Sequence, residues 1–526
     1  MAPKVLISDE LSPAAVAIFK ERGIAADVRA GLDKRELETI IGGYDGLAVR
    51  SATKVTGAVI AAAANLKVVG RAGIGVDNVD VKAATAKGII VMNTPFGNSV
   101  TTAEHAVSLM LALARQIPAA DRSTRAGKWE KSKFLGVQVC GKTLGIIGCG
   151  NVGSIVAERA AGLRMKVLAY DPFLSEERAI ALGVEKVDLD QLLRRADFVT
   201  LHTPLTDKTR NILSAGALAK CRKGVRIINC ARGGLIDETA LAAALSSGHV
   251  AGAALDVFEV EPARDNPLFG LDSVVCTPHL GASTTEAQEM VALQIAQQMS
   301  DYLLAGAITN AVNFPSISAE DAPRILPYVK LAEQLGSFAG QLTETSILGV
   351  RLEYSGDVAA LNTKPMTAAA LAGVLRPSLA DVNMVSAPVL AKERGILIEE
   401  VSRGKAGMFE SSLRLTVRMP QHERSLAGTL GAGGRPRIIE VRDIPMDFEL
   451  APHMLFVRNL DKPGFIGRIG TLLGEAGVNI ATFNLGREKA GGDAICMVAV
   501  DEPVSDLVLA EVRALPHVVR ACRLAF

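Results

Sequence analysis

Four apolar runs near the middle of the chain each end in side chains capable of chemistry. Phe198–His202 ends in Thr203 and Pro204, Val225–Ile228 in Asn229, Cys230 and Arg232, Ala251–Leu255 in Asp256, Glu259 and Glu261, and Ser273–Cys276 in Thr277 and His279. If these runs are parallel strands of one sheet, their carboxyl ends fall along one edge and the polar groups converge on a single crevice. A guanidinium, a carboxylate and an imidazole together suffice to move a proton and a hydride at a carbonyl carbon. Arg232 can polarise the carbonyl and clamp a carboxylate bidentately, His279 can give or take the proton, and an acid can orient the imidazole. Spacing alone does not choose among Asp256, Glu259 and Glu261, and any of them could be a structural ion pair instead. The other histidines compete poorly. His105 reads as a packed or solvated helix residue, His202 lines the crevice, His249 sits in a turn, and His422, His453 and His517 lie far downstream.

Those strands need a fold to align them, and the stretch from Lys142 to Asp171 provides it. Thr143–Ile147 is short and apolar, as a buried strand is. Gly148-x-Gly150-x-x-Gly153 follows, then a helical pattern from Val152 to Gly162, a second apolar run at Lys166–Tyr170, and an acid at Asp171. In such a βαβ unit the first glycine permits a tight turn, the second lets backbone approach a pyrophosphate, the third lets helix pack on strand, and the helix N-terminus faces the anion. Asp171 then holds the adenosine ribose hydroxyls, and an acid there favours NAD over NADP.

Upstream, β-runs at Val5–Ser8, Gly46–Arg50 and Leu66–Gly70 alternate with Ala-rich helical patterns, which indicates a second parallel sheet. Two of these runs lead to Arg50 and Arg71, and Arg71-Ala72-Gly73-Ile74-Gly75 is a glycine-rich loop suited to an anion. A helix from Ser99 to Gln116, opened by a Thr101-x-x-Glu104 capping box and stopped by Pro118, leads into the dinucleotide unit. The basic loop around Trp129 reads either as solvated or as reaching a neighbouring subunit's site.

At 526 residues the chain exceeds what one core supports, and at about 150 residues per domain it should hold several. Hydrophobic content of 49%, charged content of 21% and a net charge of +1 fit a globular protein with no field for nucleic acid or an anionic membrane. Seven scattered cysteines without a CxxC pair argue for a reducing compartment and against zinc or a disulfide framework, and no metal site is expected. No apolar run is long enough to cross a bilayer and the first residues carry no targeting pattern, so the expected location is the cytoplasm.

Downstream, a helix from Ser283 or Thr284 to Leu304 is expected to cross back to the first domain, and Ala305–Pro315 reads as a linker. Strand-like runs between Pro315 and Pro452, with one apolar helical region at Met366–Leu375, indicate an α+β domain without a catalytic motif. Pro452–Phe526 has the βαββαβ order of a ferredoxin-like split βαβ. The expected division is 1–98 with 284–310, 99–283, 311–451 and 452–526.

GCGNVG, NCARGGLID, DVFEVEP and TPHLGAST, in that order, resemble the D-2-hydroxyacid dehydrogenase family. RAGIGVDNVD and the C-terminal LDKPGFIGRIGTLLGEAGVNI are similar to its long, phosphoglycerate-oxidising branch, which carries an intervening domain and a regulatory ACT domain. The resemblance implies an α/β architecture: a doubly wound Rossmann-type domain and a flavodoxin-like substrate domain, then the α+β intervening domain and the ferredoxin-like ACT domain. It implies catalytic Arg232, Glu261 and His279. Beyond Gly148, Gly150 and Gly153, it implies NAD contacts at Asn151, Val152, Asp171, Thr203, Cys230, Arg232, Asp256 and His279. For the substrate, 3-phospho-D-glycerate, it implies phosphate contacts from Arg50 and Arg71 and further contacts from Ala72, Gly73, Ile74, Arg232 and His279. Ile74 stands where some relatives carry Thr. L-serine is the implied effector, at Asn459, Asp461 and Asn479, with Asn459 where relatives often have Tyr or His, and the implied assembly is a homo-tetramer. Alternatives on this scaffold are a glyoxylate or hydroxypyruvate reductase, against which Arg50 and Arg71 count, and a nucleotide-sensing corepressor, which lacks the ACT domain.

Overall fold

The computed structural model describes residues 2–379, 382–404 and 409–526. Contacts gather the chain into two compact bodies, residues 1–93 with 295–526 and residues 94–294. In the first body, β1 (Lys4–Ile7), β2 (Ala25–Val28), β3 (Gly46–Val49), β4 (Val68–Arg71) and β5 (Ile90–Met92) form a parallel sheet in the order β2-β1-β3-β4-β5, the flavodoxin-like order. Helices join the strands; the first, Pro13–Glu21, opens on Ser12, whose hydroxyl accepts the Ala14 N–H. The end of helix Thr285–Ala305 seats on this sheet so closely that a Cβ at Gly70 would lie 2.3 Å from Met299 Sδ. The segment read as a linker is pinned: Ala311 bridges Met92, and the Asn313 side chain accepts the Val91 N–H and donates to Ile89 O, both at 2.9 Å.

The second body is built on β6 (Thr143–Ile147), β7 (Lys166–Tyr170), β8 (Glu185–Lys186), β9 (Phe198–Leu201), β10 (Val225–Asn229), β11 (Val250–Leu255) and β12 (Val274–Cys276). All are parallel, in the order β12-β11-β10-β9-β6-β7-β8, the doubly wound arrangement. Helix Ser99–Ala114 shares a core with helix Asn151–Gly162 through Ala103, Ala106 and Met110 against Val156 and Ala160. The expected capping box is absent: the cap is Asn98 without a side-chain bond, and Thr101 and Glu104 lie inside the helix. Pro118 also does more than stop it. Gln116 turns the chain with φ of 53°, and Pro118 occupies the first turn of a new helix, Ile117–Arg125, where its missing N–H costs no hydrogen bond.

The rest of the first body holds two further sheets. β13 (Gly349–Gly356), β14 (Leu397–Arg403), β15 (Ser411–Arg418), β16 (Glu423–Leu430), β17 (Pro436–Val441) and β18 (Ile444–Phe448) run in the order β14-β13-β15-β16-β17-β18, with only the β13–β14 pair parallel. Two helices pack here, Lys364–Leu375 and Ala322–Gln341. The second does not read as helical in the sequence because it carries Pro323, Pro327, Gly336 and Gly340; packing overrides propensity. Its glycines meet the partner backbone directly: a Cβ at Gly336 would lie 2.1 Å from Ala370 O and one at Gly340 2.5 Å from Val374 O. β19 (His453–Leu460), β20 (Ile480–Arg487), β21 (Asp493–Val500) and β22 (Val518–Ala525), with helices Phe465–Glu475 and Asp506–Ala514, give the expected βαββαβ module in the antiparallel order β20-β21-β19-β22. Phe338 meets Phe448, Phe456 and Phe526 edge-on, at 6.4, 6.3 and 6.0 Å between ring centroids.

The helix crossing generates a stability prediction. Gly336→Val should force the two backbones apart and destabilise this region by about 3 kcal/mol. Hydrogen exchange should accelerate in 322–341 and 364–375; unchanged protection there would contradict the packing.

Candidate active site

Every strand of the second body ends on one edge, and the turn after β6 meets that edge first. Gly148 has φ of 93°, and a Cβ there would lie 2.7 Å from His202 O. A Cβ at Gly153 would lie 2.1 Å from Gly148 O, so only glycine lets the helix start this close to its strand. At Gly150 a Cβ would meet nothing within 4 Å, which leaves the helix N-terminus open to an approaching anion. Asn151 and Val152 are the first two residues of that helix, and Thr203 lies beside the turn, its nitrogen 3.0 Å from a Cβ placed on Gly148. At the end of β7, the Asp171 carboxylate accepts the N–H groups of Cys149 and Phe173, both at 2.8 Å. This cradle fits a dinucleotide, with its glycines at the close approaches and its acid at the end of the next strand. His202 is neutral, because burial pushes its imidazole down to about 4; its Nε2 lies 2.9 Å from Thr200 Oγ1.

Three adjacent strand ends carry the acid–base groups. After β10, the buried Asn229 folds the chain back, its amide donating to Arg232 O at 2.8 Å and accepting the Ala231 N–H at 3.0 Å, and Arg232 is half-buried at the turn. Gly233 presses on the segment after β11, where a Cβ would lie 1.8 Å from Phe258 O. That segment bends so that Glu261 Oε1 accepts the Phe258 N–H at 3.1 Å while Oε2 meets His279 Nδ1 at 2.7 Å. Burial alone would raise the Glu261 carboxyl, but the bonds from His279 and Phe258 outweigh it and hold it below the usual carboxylate range. Glu259 is exposed, and the bond it makes here is through its backbone, whose N–H donates to Glu238 at 2.7 Å. Asp256 is fully buried beneath the turn that carries His279, and Cys230 is also buried, its thiol pushed up by burial and by Asp256.

In the first body, Arg50 and Arg71 stand at neighbouring strand ends, with Arg71 paired in register with Val49. Asp9 fixes the Arg50 turn by accepting the Arg50 N–H at 2.6 Å and the Thr53 hydroxyl at 2.6 Å, and Asn78 donates to Arg50 O at 2.7 Å. Gly73, with φ of 142°, lies against the Arg71 guanidinium, and Ile74 O accepts the Asn93 amide at 2.6 Å. Ala72 is buried between them in sequence.

The residues expected at the effector site do not meet within one chain. Asn459 is 1% exposed and donates to Leu460 O, so it presents almost no surface. Asp461 accepts from Arg487, the last residue of β20, at 2.9 Å and from the Gly491 N–H at 3.1 Å, bonds that hold its carboxyl below the usual range. Asn479 stands before the other end of β20 and donates to Asp501 at 2.6 Å. Sequence reasoning missed the packing role of Asn229 and the surroundings of His105. Helical periodicity gives a residue's face but not the strand ends it will meet.

Residues 107–281 match the D-isomer specific 2-hydroxyacid dehydrogenase NAD binding domain, 324–442 the D-3-phosphoglycerate dehydrogenase intervening domain, and 453–517 the ACT domain. The chain is 45% identical to D-3-phosphoglycerate dehydrogenase of Synechocystis sp. over 97% of its own length and 92% of the relative's. It is 44% identical to that of Archaeoglobus fulgidus, over 98% and 99%. Among solved structures, a glyoxylate reductase from Paecilomyes thermophila superposes with a TM-score of 0.56 at 30% identity, covering 59% of this chain and 98% of that one. With the NAD cradle, the strand-end chemistry and this identity over nearly its whole length, the chain belongs to the D-3-phosphoglycerate dehydrogenases, NAD-dependent oxidoreductases of the D-2-hydroxyacid dehydrogenase family.

Proposed function

We propose that the chain oxidises 3-phospho-D-glycerate to 3-phosphooxypyruvate with NAD, the first step of a route to L-serine. The observation that carries this is the His279–Glu261 pair, 2.7 Å apart at a strand edge shared with Arg232, in a chain 45% identical to an enzyme of that name. The ionised Glu261 can only accept, so His279 Nδ1 carries the hydrogen between them. Nε2 is then the basic nitrogen and takes the proton of the substrate's C2 hydroxyl. Arg232 clamps the substrate carboxylate and steadies the oxygen that becomes the carbonyl. When bound, NAD accepts the hydride leaving C2. Gly148, Gly150, Asn151, Val152 and Gly153 hold its pyrophosphate and Asp171 its ribose, while Thr203 and the backbone at Cys230 line the cradle. Asp256, having no exposed surface, serves the cofactor through the turn it holds.

On the same reading, Arg50 and Arg71 take the phosphate, and the N–H groups of Ala72–Ile74 a carboxylate oxygen. The ACT module answers to L-serine in an assembly of identical chains, a tetramer. Asp461 and Asn479 lie at opposite ends of β20, so two copies paired antiparallel along this edge strand would set Asp461 of one beside Asn479 of the other. No helix among the described residues is long and apolar enough to cross a membrane, and all seven cysteines are free; both fit a cytoplasmic enzyme.

His279→Ala should lower kcat about 10²–10⁴-fold in an NADH-formation assay, and near-normal turnover would defeat the role given to His279. Arg50→Ala and Arg71→Ala should each raise KM for 3-phosphoglycerate far more than for D-glycerate; equal effects on both substrates would place these arginines elsewhere. L-serine should inhibit the intact chain with a coupling of about 1–3 kcal/mol, and Asp461→Ala or Asn479→Ala should abolish that inhibition. Full activity in millimolar serine would refute the effector assignment.

A further inference from the structure

His105 lies in helix Ser99–Ala114, and its imidazole reaches the edge where β11 and β12 end. Its Nε2 is 3.2 Å from Thr277 Oγ1 and 3.2 Å from Asp256 Oδ1. The Thr277 hydroxyl spends its single proton on Asp256 Oδ1, at 2.6 Å. Both atoms facing Nε2 are therefore acceptors, and Nε2 must carry a hydrogen. The Asp256 carboxylate, fully buried, also collects the Leu280 N–H at 2.7 Å and the Gly281 N–H at 2.8 Å, and its main-chain oxygen accepts the His279 N–H at 2.8 Å. Burial would raise this carboxyl, but the donors, His105 first among them, keep it below the usual range. His279 has φ of 56°, a left-handed conformation that a non-glycine residue keeps only where its surroundings over-determine it. Besides the Glu261 carboxylate on its Nδ1 and the Thr102 hydroxyl, which donates to Gly281 O at 3.1 Å, the turn is held by the Asp256 carboxylate, and three of the four groups that donate to that carboxylate belong to the turn itself. His105 is the donor that comes from a different element.

We propose that His105 is a positioning residue for the oxidation: through Asp256 and Thr277 it fixes the turn 277–281 and so sets His279 against Glu261 and the substrate. This rests on the reading of His279 as the proton-transferring group. The role requires a donor at the end of a side chain of this length, not an aromatic ring as such. A glutamine amide can reach the same two oxygens, whereas asparagine is too short and leucine donates nothing.

The test is steady-state NADH formation by the full chain. His105→Leu and His105→Asn should each lower kcat about 10-fold, as a displacement of well under 1 Å at a reacting group does, with KM for 3-phosphoglycerate within about twofold. His105→Gln should hold kcat within about threefold of the parent. In a His279→Ala background, His105→Leu should cause no further loss, because the group it positions is gone. Parental kcat in both His105→Leu and His105→Asn would overturn the proposal. So would equal losses in His105→Gln and His105→Asn, or an undiminished loss in the His279→Ala background. Should His105→Leu not fold, the Gln and Asn variants, both polar, decide the matter by themselves. Full activity of His279→Ala alone would instead defeat the reading of His279, a result independent of any change at position 105.

Discussion

A parallel sheet imposes one constraint on everything attached to it: all of its strands finish on the same side. In the second body seven strands obey it, and the order β12-β11-β10-β9-β6-β7-β8 sets the glycine turn, the Arg232 turn, the Glu261 bend and the His279 turn along a single edge. Residues far apart in sequence become neighbours without any contact having to be arranged between them individually. In the antiparallel pairings of the first body neighbouring strands finish on opposite sides, so no such shared edge forms there.

Alignment brings these groups to the same edge, and backbone contacts fix them there. Gly153 against Gly148 O and Gly233 against Phe258 O are approaches that no side chain would permit, and each ties a loop to its neighbour. Gly233 couples the Arg232 turn to the segment that presents Glu261, so the guanidinium and the carboxylate share a frame. Asp256 does the same for the imidazole with polar atoms in place of packing. Its burial makes each of its hydrogen bonds costly to lose, so the turn above it has little freedom to relax.

What the sequence revealed follows from how local each signal is. The βαβ unit from Lys142 to Asp171 was legible because its glycines, strand, helix and acid lie within one continuous stretch, and the βαββαβ module for the same reason. Spacing could not separate Glu261 from Asp256 and Glu259, because the choice depends on the bend at Phe258, where an N–H turns back to Glu261. Helix Ala322–Gln341 was hidden by the residues that let it pack: its glycines lower intrinsic propensity and permit the crossing. Resemblance named His279 and Glu261, but neither motif nor periodicity could show that His105 would arrive at Asp256 from another element.

The aromatic contacts of Phe338 bear on how the C-terminal module is attached. This ring, on a helix of the intervening region, touches Phe448 before the connection, Phe456 on β19 and Phe526 at the last residue. Gln341 reinforces the junction, donating to Ala525 O at 2.8 Å and accepting the Ala525 N–H at 2.9 Å. The module is therefore mortared to its neighbour and does not hang from a tether, so any displacement of it would move as a block. Cutting the chain at Pro452 would strip Phe456 and Phe526 from a ring that is wholly buried, leaving a sticky wound on the remaining protein. A truncated chain would then report on that wound as much as on the lost module, whereas point changes at the module's surface leave the mortar intact.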